Sequence, residues 1–163
     1  ARTVVGFMDA VGIDAAHLVG HSLGGAIALA VALAVPARVQ ALSLLAPAGL
    51  GRDINGDYLT GFIAAESRRD MKPVLQQLVA NADLVNRQMI DDMLKFKRLD
   101  GVPAALAAIA RGFVDGARQT VDLRARLATL GCPAQIVWGR ADRIVPPAQA
   151  DGLPSSIAVH LLD

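Results

Sequence analysis

The chain has 163 residues, enough for one domain with a real core. Its 16 basic and 15 acidic residues leave a net charge of +1, so no broad field recruits nucleic acid or a membrane surface. Hydrophobic residues make up 53% of the chain and mean hydropathy is +0.42, which asks of each apolar run whether it is long enough to span a bilayer.

Thr3 to Val11 already reads as a helical pattern and has no charged-then-apolar secretory layout, so no targeting peptide is expected and the chain reads as starting within an element. Ala16 to Val19 is a compact buried strand. After the turn at Gly20-His21-Ser22-Leu23-Gly24, a helix is predicted from Gly24 to Ala34, closed by Pro36. The longest apolar run, Ala26 to Val35, stops at that proline after ten residues, whereas a spanning helix needs about 20. No membrane segment is expected. Val39 to Leu45 is a second apolar strand, ending at "APAGLG". Near-continuous apolar strands separated by helices predict a parallel sheet covered on both faces, an α/β fold.

From about Tyr58 to Phe113 only helical patterns appear: Met71 to Val79, Leu84 to Leu94 after Asp83 as a cap, and Val102 to Phe113 with Val102, Leu106, Ile109 and Phe113 on one face. Residues 58–113 therefore read as a helical insertion between a first part, 1–57, and a last part, 114–163. There the alternation returns with a helix around Leu123 to Leu130, a strand from Ala134 to Trp138, a turn at Gly139 to Pro147 and a last strand from Ile157 to Leu162. The chain closes on "SIAVHLLD" with no turn or helix after it, and both ends read as cut. Cys132, the single cysteine, excludes an internal disulfide and fits a small buried residue in a reducing compartment. Cytoplasmic placement is the expectation.

Chemistry concentrates at Gly20-His21-Ser22-Leu23-Gly24, a G-x-S-x-G between a predicted strand and a predicted helix. A sharp reversal there forces the middle residue into strained geometry, and small neighbours at Gly20, Gly24 and Gly25 give it room. The same reversal would lift the Ser22 hydroxyl to the N-terminus of the helix, where the Leu23 N–H is a candidate oxyanion donor. The plain alternative is a Gly/Ser turn with Ser22 as a helix cap. A nucleophilic serine needs a base and the base an orienting carboxylate. Asp142 is the candidate, just past a strand in "WGRADRIVP"; its alternative is a turn-capping Asp. Of the histidines, His21 would point away from Ser22, His17 lies in its strand, and His160 lies in the last strand. None sits on a loop at the C-terminal edge of the sheet, so the catalytic histidine reads as absent from this chain. No metal-ligating pattern is read.

These residues carry a resemblance. The GHSLGG turn, the helical insertion, the W-G-x-x-D-x-x-x-P segment and the final strand resemble the second half of an α/β-hydrolase domain, a parallel sheet flanked by helices with a helical cap. In that family a G-x-G-H loop with the catalytic histidine follows the last strand. The cap from Ser67 to Ala110 is similar to the α/β-hydrolase-like domain of the dihydrolipoamide acetyltransferase component of bacterial acetoin dehydrogenase complexes. The resemblance spans Thr3 to Asp163. It implies transfer of an acetyl group from a lipoyl thioester to coenzyme A, both as substrates with no tightly bound cofactor. It also implies a lipoyl domain and the other subunits of such a complex as partners.

Against the family pattern, the lipoyl-bearing segment, the early strands with a second oxyanion donor and the histidine loop are missing, so this chain alone is expected to be inactive. A carboxylesterase or thioesterase, with water as acceptor, and a catalytically empty scaffold remain alternatives. Arg68, Arg69, Lys72, Lys95, Lys97 and Arg98 could meet coenzyme A phosphates or an acidic lipoyl domain. With Asp70, Asp91, Asp92 and Asp100 interspersed they equally make a solvated face. With its first-half neighbours missing, Ala16 to Val19 is expected to be an open edge, and self-association is expected to follow.

Overall fold

Nine residues of helix α1, Arg2–Ala10, end where Gly12 turns the chain at φ 72 into strand β1, Ala16–His21. The computed structural model describes residues 1–163, and the chain divides into two compact units. The first comprises Ala1–Arg52, Val121–Arg140 and Pro147–Asp163; the second comprises Asp53–Thr120 and Ala141–Pro146.

In the first unit β1 is followed by helix α2, Leu23–Ala34, and strand β2, Val39–Leu45. Helix α2 carries almost no polar side chain, and Ala26, Ala28, Leu29, Val31 and Ala32 are buried, as a helix apolar all round requires. Arg38 ties the start of the unit together: it pairs with Asp9 at 2.7 Å and donates to the backbone carbonyls of Ile13 and Asp14. The remaining strands of this unit are labelled β5, Ala134–Gly139, and β6, Ile157–Leu162, since two short strands precede them in the chain. All pairings are parallel, in the order β1-β2-β5-β6.

The register puts Leu18, Leu42, Leu44, Ile136, Trp138 and Ile157 on one face, together with Gly20. These side chains form the core with α2 and Leu127. The opposite face differs from expectation. His17, Val19, His21, Gln135, His160 and Leu162 lie on it and are exposed, Val19 to 71%, so helices cover the sheet on one side only. Apolar strands report that a sheet is buried, but which face a helix reaches depends on connections that strand composition does not encode. The expected helix at Leu123 to Leu130 is instead a 3-10 turn, Arg124–Thr129. Asp122 Oδ1 takes the Arg124 N–H at its start and Leu130 is already extended at its end, so the stretch closes as a short turn.

Strands β1 and β6 each pair with a single neighbour, and neither "AHLVGH" nor "IAVHLL" contains the lysine or proline that commonly blunts an edge. The 163-residue chain is therefore expected to self-associate. Sedimentation across a concentration series should show rising mass; a monomer at every concentration, unfolding cooperatively, would refute an open edge.

The second unit holds helices α3 (Gly56–Ala64), α4 (Arg68–Leu75), α5 (Arg87–Lys97) and α6 (Val102–Phe113). A hairpin of two-residue strands, β3 (Val114–Asp115) and β4 (Arg118–Gln119), follows α6. Asn55, Ser67 and Asn86 cap α3, α4 and α5 by accepting backbone N–H bonds. The expected Asp83 cap gives way to Asn86, because Ala82–Leu84 forms its own 3-10 turn under Asn81. Met71, Val74, Leu75, Ile90 and Leu94 make the core of this unit, with Tyr58 and Phe62 against it. Lys97 is buried here. Its Nζ donates to the carbonyls of Phe62, Ile63 and Ala65 at 2.5, 3.0 and 2.5 Å, closing the C-terminus of α3, and sits 5.4 Å from the Phe62 ring centre.

Candidate active site

Strand β1 ends at His21 and α2 begins at Leu23, so a single residue, Ser22, makes the whole reversal. It does so at φ 52 and ψ −120. Those angles are those of the first central residue of a type II′ turn, a place glycine takes because a Cβ is crowded there. A serine held there costs about 1–3 kcal/mol, and such strain persists only where surroundings over-determine it.

The surroundings are on view. Ser22 N–H donates to Leu45 O at 3.0 Å, and Ser22 C=O accepts from Gly25 N at 2.9 Å, Ala26 N at 3.3 Å and Ala48 N at 3.0 Å. Close approach of β1 to α2 is possible because Gly20 has no side chain: a Cβ there would lie 2.4 Å from Gly24 O and 2.7 Å from Gly25 Cα. Gly25 is likewise closed by Pro47, whose Cβ would be 2.7 Å away. Gly24 departs from expectation. A Cβ on it meets nothing within 4 Å, because it would point away from the turn at the exposed start of α2. The turn thus needs small residues at Gly20 and Gly25; at Gly24 it needs only the backbone.

Ser22 occupies the cap position of α2, yet its side chain makes no capping hydrogen bond and its backbone lies outside the extended region that caps adopt. Ser22 is half-buried, and its hydroxyl is not spent on the helix. Since Ser22 C=O takes the Gly25 and Ala26 amides, the N–H groups of Leu23 and Gly24 are the ones at the tip of α2 without a partner in the helix.

Asp142 follows β5 by three residues and lies in the second unit. Its Oδ1 accepts from Ile144 N at 2.8 Å and Val145 N at 3.1 Å, an Asx-type turn that fixes the half-buried carboxylate. The turn-forming role is therefore present. His17, His21 and His160 all lie on the exposed sheet face, opposite the side on which Gly20 meets α2.

Of the six basic residues singled out in the sequence, Lys97 and Arg68 are used internally, and Lys95 lies 4.0 Å from the Asp92 carboxylate. Lys97 is buried under α3, and burial lowers its ammonium from the usual lysine range while Glu66 holds it up. Arg68 donates to both carboxylate oxygens of Asp91 at 2.5 and 2.9 Å, which raises the guanidinium and lowers the carboxyl. Lys95 and Arg98 line an open cleft beside them with Glu66 and Asp91, a lining of both signs. Burial raises the Cys132 thiol. No group of three or more His, Cys, Asp or Glu is placed to hold a metal, and no helix is long and apolar enough to cross a membrane.

The segment Leu45–Ala48 was outside the sequence reading of the site. Its only local mark is the "APAG" that ends β2, and its contact with Ser22 joins positions more than twenty residues apart.

Residues 1–158 match the alpha/beta hydrolase fold family. The chain is 47% identical over 161 residues to the dihydrolipoyllysine-residue acetyltransferase component of the acetoin cleaving system of Cupriavidus necator, covering 99% of this chain and 43% of that protein. To the protein of the same name from Pseudomonas putida it is 51% identical over 150 residues, 92% of this chain and 40% of the relative. A 2-hydroxy-6-oxo-6-phenylhexa-2,4-dienoate hydrolase of Burkholderia cepacia is 34% identical over 155 residues, 90% of this chain and 53% of the relative. The chain thus spans about half the length of the curated relatives it matches, or less. Among solved structures, a meta-cleavage product hydrolase from Pseudomonas fluorescens IP01 superposes with a TM-score of 0.84 at 23% identity, over 98% of this chain and 60% of that one, a likeness of fold.

Proposed function

This chain belongs to the α/β-hydrolase fold family, and from that premise we propose that it carries the nucleophile of an acyltransferase moving an acetyl group from a lipoyl thioester to coenzyme A. The observation that carries the proposal is Ser22. A serine kept in a glycine conformation, with its hydroxyl unspent and two helix-tip amides beside it, is arranged for attack and for stabilising the charge that attack creates. The names of the Cupriavidus and Pseudomonas relatives support the acetyl group and the dihydrolipoyl donor.

In this reading Ser22 Oγ attacks the thioester carbonyl carbon as a base takes its proton. Negative charge develops on the carbonyl oxygen against the Leu23 N–H. The carbon–sulfur bond then breaks, the dihydrolipoyl thiol leaves with the proton, and the acetyl group stays on Ser22 as an ester. Coenzyme A thiol attacks that ester, its proton returns to Ser22, and acetyl-coenzyme A departs. Asp142, fixed by Ile144 and Val145, orients the imidazole base. We assign that base to a histidine other than His17, His21 and His160, which share the exposed sheet face. A lipoyl-bearing domain and the other components of an acetoin cleaving system are the partners that follow.

A second reading, hydrolysis, draws on the 34% identity to the Burkholderia hydrolase. It uses the same serine ester with water as acceptor. Both are tested by supplying an acetylated dihydrolipoyl donor without coenzyme A to the native polypeptide that carries this chain. Acetyl on the peptide containing Ser22, discharged by coenzyme A faster than by water, is the expected result. Discharge by water alone would favour the hydrolase, and turnover without acetyl on Ser22 would refute both.

A further inference from the structure

We propose that Pro47 is a positioning residue for Ser22, an assignment that rests on the reading of Ser22 as nucleophile. Ser22 is strained, so something must hold it, and one short segment grips its backbone on both sides. Leu45 O accepts the Ser22 N–H, and Ala48 N donates to the Ser22 carbonyl, each at 3.0 Å. Between those two anchor points lie only Ala46 and Pro47.

Both are immobilised. Ala46 is the other non-glycine residue of the chain at positive φ, 41, and its N–H donates to Val137 O of β5 at 2.9 Å. Pro47 is fully buried, and it fills the space that Gly25 leaves on α2, where an added Cβ would meet Pro47 Cβ at 2.7 Å and Cα at 3.0 Å. The ring also locks its own φ near −65°. For Ser22 to relax, Leu45 O and Ala48 N would have to move apart or rotate. The ring against α2 and the Ala46 bond to β5 resist that motion. Strain at Ser22 is thus held in place by the Ala46 hydrogen bond to β5 and by a ring wedged against α2 just past β2.

Pro47 acts through the Ser22 backbone, so its loss should misplace the nucleophile and leave donor binding alone. A displacement near 1 Å can cost about 10²-fold in rate. In the native polypeptide that carries this chain, Pro47→Gly is expected to lower kcat and the rate of Ser22 labelling by a fluorophosphonate 10- to 100-fold. KM for the acetyl donor should stay within about twofold, and the Ser22 and Ala48 amides should lose hydrogen-exchange protection. Ala46→Gly relieves strain and is compatible with folding. It should lower kcat several-fold, again at constant KM.

Slow exchange at the Leu44 and Ile136 amides certifies an intact sheet in each variant. Full labelling rate and unchanged kcat in both variants, with Ser22→Ala abolishing labelling, would overturn the role of Pro47 alone. Labelling that survives Ser22→Ala would overturn the nucleophile and this assignment with it.

Discussion

Ser22→Ala, made in the native polypeptide that carries this chain, is expected to lower acetyl transfer by roughly 10⁶-fold, the scale seen when a catalytic unit loses its nucleophile. KM for the donor should change little, since the hydroxyl forms its bond only as the reaction proceeds. The residual activity should approach the 10³–10⁴-fold over water that binding and oxyanion donors supply without the serine. Ser22→Gly supplies the second half of the same prediction. Glycine adopts φ 52 and ψ −120 without crowding, so this variant should be as inactive as Ser22→Ala and yet more stable than the parent by about 1 kcal/mol in denaturant melts. A serine whose replacement by glycine costs stability would not be strained, and the reason to see it as a nucleophile would go. Acyl transfer within tenfold of the parent in Ser22→Ala would dispose of it directly.

Gly20→Ala carries the largest expected effect on stability. The added methyl would meet backbone, Gly24 O at 2.4 Å and Gly24 C and Gly25 Cα at 2.7 Å, and backbone cannot swing aside as the end of a long side chain can. Either β1 and α2 part or Ser22 moves, at a cost of about 3 kcal/mol or more from overpacking and lost turn hydrogen bonds. Gly24→Ala is the control. Its methyl enters open space on a helix, where alanine is favoured over glycine by about 0.5–1 kcal/mol, so stability should hold or rise. Equilibrium urea unfolding of the two variants decides it: a Gly24→Ala loss equal to that of Gly20→Ala would refute this division of labour between the two glycines of the motif.

Much of the architecture could be read locally. Strand β2 at Val39–Leu45, helix α6 at Val102–Phe113 and strand β6 at Ile157–Leu162 fall where periodicity and breakers put them, each bounded by a nearby proline or glycine. The single-residue reversal at Ser22 was legible for the same reason: an apolar β-branched run, a glycine-flanked serine and an alanine-rich helix lie next to one another. Boundaries set by competition were harder. Asn86 outranks Asp83 as the cap of α5 because Asn81 draws the intervening residues into a separate 3-10 turn, and two equally good capping side chains give no local basis for choosing.

Among the six basic residues, charge pattern alone could not tell Lys97 from its neighbours. Its burial follows from where the C-terminal carbonyls of α3 lie, more than thirty residues earlier in the chain.

The sequence by itself determined the order of the main strands and helices and the residue at the turn, because each is written in side-chain periodicity and in conformational limits on adjacent residues; the family entered through the likeness of the GHSLGG turn and the Ser67–Ala110 cap to known proteins. Tertiary structure decided which glycine of the motif is sterically required, which sheet face is covered, and that Leu45 and Ala48 hold Ser22 in its strained form. Those outcomes depend on distances between segments far apart in the chain. Such distances arise only when whole strands and helices pack, since a backbone carbonyl meets the N–H that the register brings opposite it, whatever side chains lie between them in sequence.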